Sequence, residues 1–159
     1  MVDFVHTWSP EILAGDWLLA APGLADDADL RTAVIISLFT DRLARPDDVI
    51  PDGTTDRRGW WADNDDDGLI GSRLWLLSRE KTLESVRQRA IEYSTEALQW
   101  LIDDGVAQQV GVDASFSGID RLDLVITIYR NSGQSVEIRF DWVWDQIKGL
   151  RTDAYRQAA

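Results

Sequence analysis

Leu122 to Trp142 reads LDLVITIYRNSGQSVEIRFDW, and the way this stretch pairs with itself decides the fold. Leu122, Leu124, Ile126 and Ile128 alternate with other residues, as do Val136, Ile138, Phe140 and Trp142. That period of two belongs to half-buried strands. A three-residue loop, Asn131-Ser132-Gly133, with Gly133 in the left-handed position, pairs Arg130 with Gln134. Carrying the register outward sets Ile128 opposite Val136, Ile126 opposite Ile138, Leu124 opposite Phe140 and Leu122 opposite Trp142, all on one face. A two-residue loop would pair Ile128 with Glu137 instead, so the hydrophobic pattern selects the longer loop.

Upstream, Val106, Val110, Val112, Ala114 and Phe116 keep the same period and supply the first of three antiparallel strands. Before Gly105 the period is helical. Thr82 is placed as a cap, Glu84 lies in the first turn and Gly105 is the terminating glycine of a helix over Leu83–Asp104. Its core stripe is Val86, Ala90, Tyr93, Ala97 and Leu101, widened by Ile91, Leu98 and Ile102. A short helix opens at Ser72, with Ile70, Leu74, Trp75 and Leu77 forming its apolar face.

The most distinctive chemistry precedes that short helix. Residues Asp56 to Lys81, DRRGWWADNDDDGLIGSRLWLLSREK, hold paired arginines and three of the eight tryptophans. Planar guanidinium groups stack on aromatics and grip carboxylates in a fork, a combination suited to a buried junction or a protein interface. The candidate interaction residues are therefore Arg57, Arg58, Trp60, Trp61, Arg73 and Trp75. The tryptophan pair has two readings, cover for the apolar face around Leu74 and Trp75 or contact with a neighbouring subunit.

Within this run, Asp63, Asp65, Asp67 and Gly68 fit the opening of a calcium loop. The twelfth position from Asp63 is Leu74, where a bidentate glutamate is required, so these acids are weak metal candidates and read better as a solvated loop.

Further towards the N-terminus, Leu30–Leu43 forms a helix with Asp26, Asp27 and Asp29 at its start. Its two stripes, Leu30, Val34, Leu38 and Ile36, Phe39, Leu43, call for cover on more than one side. Asp3–Trp8 and Gly15–Leu19 form a hairpin across Ser9 and Pro10. His6, the single histidine, has no second ligand beside it and is assigned no role. The last fifteen residues, 145–159, have weak periodicity and leave two alternatives open, a frayed end or a segment ordered by a partner.

A chain of 159 residues can bury a core without disulfides or a structural metal. It contains no cysteine, which excludes thiolate metal sites and cysteine nucleophiles. Asp and Glu outnumber Lys and Arg 28 to 16, for a net charge of −12. That charge disfavours nucleic acid and anionic membranes and favours a basic neighbour. The N-terminal MVDFVHTWSPEIL lacks a basic run and no segment of about 20 apolar residues occurs, so the expectation is a soluble, unexported chain. Lys81 and Lys148 are the only lysines, leaving the positive charge to arginine, the cation suited to desolvated pairing.

In order, LRTAVIISLFTDRLARPDD, PDGTTDRRGWW, IGSRLWLLSREK, ALQWLIDDGV and RFDWVW resemble the Mu-like phage baseplate protein family, small wedge subunits of contractile tails. The resemblance runs from about Gly15 to Trp144. It is similar, more distantly, to the baseplate wedge family labelled lysozyme-like. That wider family carries Glu-Pro-Arg near the end of the long helix where Ile102, Asp103 and Asp104 stand here, so no residue role is carried over from it.

The expected fold is α+β: an N-terminal β-hairpin, two to three helices and a C-terminal three-stranded antiparallel meander. Residues 1–144 form one wedge-like domain and 145–159 a tail. The resemblance implies a structural baseplate subunit of a phage tail or related injection device, joined to other baseplate and tail subunits in a six-fold assembly and helping to couple host contact to sheath contraction. Its place is the virion, and the host cytoplasm during assembly. No catalytic residue, cofactor, nucleic acid, membrane or small-molecule substrate is expected. Two alternatives are a lysozyme-like glycoside hydrolase and a calcium-dependent binding module. A hydrolase needs two carboxylates, one with a raised pKa, whereas Glu80, Glu84, Glu92 and Glu96 read as solvated helical acids.

Overall fold

A computed structural model of the chain describes residues 4–9, 14–19, 26–61, 63, 69–118, 121–141 and 143. Two compact units divide it, Met1–Ile36 and Ser37–Ala159. The first holds the expected hairpin: β1 (Phe4–Ser9) runs antiparallel to β2 (Ala14–Leu19), with Phe4 opposite Leu19, His6 opposite Trp17 and Ser9 opposite Ala14. It also holds most of α1, Asp26–Phe39.

Helix α1 begins at Asp26, four residues before the expected Leu30. Leu30, Val34 and Leu38 are buried, while Ile36 of the second stripe is 52% exposed. The helix also stops at Phe39 rather than Leu43. A parallel bridge of Asp41 with Ser72 replaces the last turn: the Ser72 N–H donates to the Thr40 carbonyl (2.9 Å) and the Arg42 N–H to the Ser72 carbonyl (3.0 Å). Gly71 permits this approach. Its φ is +96°, and a Cβ there would lie 2.8 Å from the Thr40 carbonyl carbon, a backbone contact that no rotamer can relieve.

The short helix expected from Ser72 is a single 3₁₀ turn, Leu74–Leu77, with all four side chains buried. Ser72 still serves its start, because its hydroxyl accepts the Leu74 N–H (3.2 Å) and donates to the Leu38 carbonyl. A turn buried on every side cannot extend into Ser78, Arg79 and Glu80 without burying charge.

The long helix is α2, Glu84–Leu98, followed by a four-residue α3, Trp100–Asp103. The break is slight: the Gln99 N–H reaches back three residues to the Glu96 carbonyl (3.4 Å), the tighter pattern of a 3₁₀ turn. Thr82 is not the cap. Leu83 holds the cap position in extended geometry without a side-chain bond, because its N–H is taken by the Lys81 carbonyl (2.8 Å) and the chain turns one residue later. Gly105 ends the pair as expected, at φ +72°, donating to the Ile102 carbonyl while the Ala107 N–H reaches the Leu101 carbonyl. Every member of the stripe from Val86 to Leu101 is buried.

The meander consists of β3 (Gln109–Gly118), β4 (Arg121–Tyr129) and β5 (Ser135–Phe140), in that spatial order. Ile128 faces Val136, Ile126 faces Ile138 and Leu124 faces Phe140. The Arg130 N–H meets the Gln134 carbonyl at 2.8 Å, and Gly133 has φ +83°. The pairing of Leu122 with Trp142 lies outside the described residues. On β3, Val110, Val112, Ala114 and Phe116 face Ile128, Ile126, Leu124 and Leu122. Val106, expected in this strand, precedes it and is exposed, since the turn at Gly105 spends the residues before Gln109. Leu122, Leu124, Ile126 and Ile128 have no exposed surface, each contributing roughly 1.5 to 3 kcal/mol by burial. Helix α2 packs on β3, where Arg87 donates to the Ala114 carbonyl (3.2 Å).

Candidate functional site

The bridge at Ser72 fixes where the next side chain goes. Arg73 is 3% exposed, and its guanidinium makes a two-sided grip: Nη1 donates to both oxygens of Asp48 (3.1 and 3.2 Å), and Nε and Nη2 donate to Glu96 Oε2 (3.1 and 2.8 Å). The ring of Tyr93, one turn before Glu96 on α2, lies 4.3 Å beneath its central carbon. Arg45 adds a bond to Glu96 Oε1 (2.9 Å), Arg42 approaches the same oxygen at 3.9 Å, and the Arg45 N–H caps Asp48 (2.7 Å). A loop following α1 is thereby tied to the C-terminal part of α2 by paired, hydrogen-bonded charge, the only form in which such groups tolerate burial.

Burial raises the pKa of Glu96, but the hydrogen bonds and charge of Arg73, with the charges of Arg42 and Arg45, outweigh it and hold the carboxyl below its ordinary range. Desolvation lowers Arg73, and Glu96 and Asp48 more than reverse it, so its pKa is raised. Glu96 is therefore not the solvated acid the helix pattern suggested: its side chain is 24% exposed and fully committed. A carboxyl held this low opposes the proton-donor role that glycoside hydrolysis demands. Among the others, Glu84 lies well exposed beside Arg87 and Gln88, whose hydrogen bonds hold it at about 2, and Glu80 pairs with Arg89 at 2.8 Å.

A second brace lies beside the first. Arg58 has φ +54°, its N–H donating to Asp56 Oδ1 (2.9 Å), and its guanidinium sits 4.2 Å over the ring of Trp75 while bonding Asp41 Oδ2 (2.6 Å). Arg57 donates to the Ala44 carbonyl, whose own N–H returns to the Arg57 carbonyl (2.9 Å). Trp75 is 1% exposed and its indole N–H donates to the Arg42 carbonyl (2.9 Å). The structure thus brings Arg57, Arg58 and Trp75 together around residues 41–44, and Arg73 departs in the other direction, to Asp48 and Glu96.

Trp60 and Trp61 do not join this packing as closely. Their rings lie 5.7 Å apart at 49°, with Trp60 37% and Trp61 90% exposed. Asp63 closes the base of the loop: its N–H donates to the Trp60 carbonyl (3.0 Å), and its carboxylate accepts from Trp60 (3.3 Å) and Ile70 (3.0 Å). Asp63 is thus engaged by backbone amides. Asp65, Asp67 and Gly68, the remaining members of the calcium-loop pattern, lie outside the described residues. Leu74, at the twelfth position, is buried in the 3₁₀ turn.

Sequence reasoning missed Asp48 and Glu96. The one available signal was the scarcity of lysine, since arginine-rich pairing predicts desolvated partners without saying which.

These features define a class: an α+β protein whose arginines brace one loop from within and whose loop presents indole rings outward. Comparison with known proteins narrows it. The model of the family described as Phage protein GP46 matches residues 30–135. The chain is 46% identical over 140 residues to Baseplate protein gp46 of Escherichia phage Mu, covering 88% of this chain and 95% of that protein. It is 39% identical over 145 residues to Mu-like prophage FluMu protein gp46 of Haemophilus influenzae, covering 91% and 98%. The chain belongs to the phage protein GP46 family, and the resemblance to Mu-like baseplate proteins holds.

Proposed function

We propose that this protein is a structural baseplate subunit of a contractile phage tail or a related injection device, working through contacts with other baseplate and tail subunits rather than by catalysis. The observation that carries this reading is the 46% identity to a baseplate protein over nearly all of that protein's length. Its place is the virion, in a six-fold assembly reached from the host cytoplasm, where it helps transmit host contact to sheath contraction. Residues 1–144 act as one wedge-like domain.

The six interaction candidates divide by role. Trp60 and Trp61 make the contact, since exposed tryptophan is the residue type most enriched at interface hot spots and Trp61 is 90% exposed. Arg57, Arg58, Arg73 and Trp75 position the loop that carries them.

Deleting the gene from its phage and supplying the chain in trans tests the proposal. Wild-type chain should restore contractile tails and be found at the baseplate by electron microscopy of purified particles. Tails that assemble and contract without the gene product would refute it.

A further inference from the structure

The loop's outward face has a composition that specifies its occupant. Trp60, Trp61, Leu69, Ile70 and Leu43 are all exposed by more than a third. They are neighbours: Asp63 bonds both Trp60 and Ile70, and a Cβ at Gly59 would meet the Leu43 side chain at 3.3 Å. The base under this patch is braced by hydrogen bonds and a ring contact. Arg58 is held at positive φ by Asp56, Asp41 and the ring of Trp75, so the indoles are presented at little ordering cost to a partner. The described residues 41–61, 63, 69 and 70 contain six aspartates and four arginines, an acidic balance within a chain of net charge −12. All four arginines are engaged within the chain: Arg42 and Arg45 toward Glu96, Arg57 on the Ala44 carbonyl, Arg58 on Asp41. What surrounds the patch is therefore net negative, and an indole face adds its own negative quadrupole.

We propose that the Trp60–Trp61 patch docks a basic, leucine- or isoleucine-bearing segment of a neighbouring tail protein, with an arginine or lysine of that segment over the exposed Trp61 ring. This rests on the contact role given to the loop above. A second copy of the chain is a poor occupant, because both copies carry −12 and their arginines on this face are in use.

Calorimetric titration of the full chain with three twelve-residue peptides, alternating Arg-Leu, Arg-Gly and Glu-Leu, tests the chemistry. Arg-Leu should bind at least tenfold tighter than either other peptide in 0.15 M salt, weaken at least tenfold in 0.5 M salt, and lose at least tenfold on Trp61→Ala. Equal binding of Glu-Leu, or Arg-Leu binding indifferent to Trp61→Ala, overturns the inference. So does self-association, seen by sedimentation, that Trp61→Ala abolishes. Incorporation of Trp61→Ala into tails reads the underlying contact role separately. If incorporation fails while the peptides show no preference for arginine, the basic partner alone is refuted. Full incorporation of Trp61→Ala refutes the contact role and the docking inference with it.

Discussion

Replacing Arg73 by methionine keeps most of the buried volume and removes the charge that reconciles Asp48 and Glu96 with their surroundings. Breaking a buried ion pair from one side costs about 3 to 5 kcal/mol, because an uncompensated charge is left behind. Asp48 and Glu96 retain 12% and 24% of their side-chain exposure, and Arg45 still reaches Glu96, so the lower end, about 3 kcal/mol, applies. For a chain of this size that is a fall in melting midpoint of roughly 6 to 12 °C at neutral pH. The loss should depend on pH. In the wild type Glu96 has a lowered folded pKa, so its stabilisation is complete above the unfolded value of about 4.3 and is lost as pH falls through the lower folded value. In Arg73→Met the strongest lowering influence is gone and burial opposes the charge, so protonation relieves the variant earlier on acidification. The stability gap between the two proteins should therefore narrow from pH 7 to pH 4, and Arg73→Met/Glu96→Gln should recover part of the loss at pH 7. Thermal melts followed by circular dichroism measure all three quantities. A shift under 2 °C at pH 7 by the scale used above, or a gap that does not change with pH, would sink the account of Arg73 as the clamp between the loop and α2.

Gly71→Ala should destabilise by more than roughly 3 kcal/mol, since a strained φ alone costs of order 1 to 3 and the new Cβ meets the Thr40 backbone. Gly53→Ala, also at positive φ but with nothing within 4 Å, should lose only about 1 kcal/mol. Chemical denaturation of the two variants separates close approach from conformational strain, and equal losses would show that the bridge at Ser72 does not need the glycine. Trp75→Ala should cost about 3 to 5 kcal/mol, as truncation of a buried aromatic does. Trp61→Ala should leave stability within about 0.5 kcal/mol of wild type, and a large loss there would move Trp61 from contact surface to core.

The meander was legible in the sequence because its pairing is local. A three-residue loop with a glycine at its left-handed position sets the register, and a period of two then places Ile126 against Ile138 without reference to the rest of the chain. The stripe of α2 from Val86 to Leu101 was legible for the same reason, its geometry being that of one helix. Helix α1 was misjudged at its C-terminal end, since nothing between Thr40 and Leu43 forbids another turn. Only the approach of Gly71 and Ser72, some thirty residues later, converts it to a bridge. Glu96 looked like its helical neighbours, and its partners Arg73 and Arg45 lie 23 and 51 residues away. Trp75 and Trp61 are the same residue in the same run, one buried at 1% and the other exposed at 90%. Periodicity reports which face of an element is apolar. Which charge meets which, and which indole turns inward, depends on elements brought together from distant parts of the chain, and tertiary packing alone decides that.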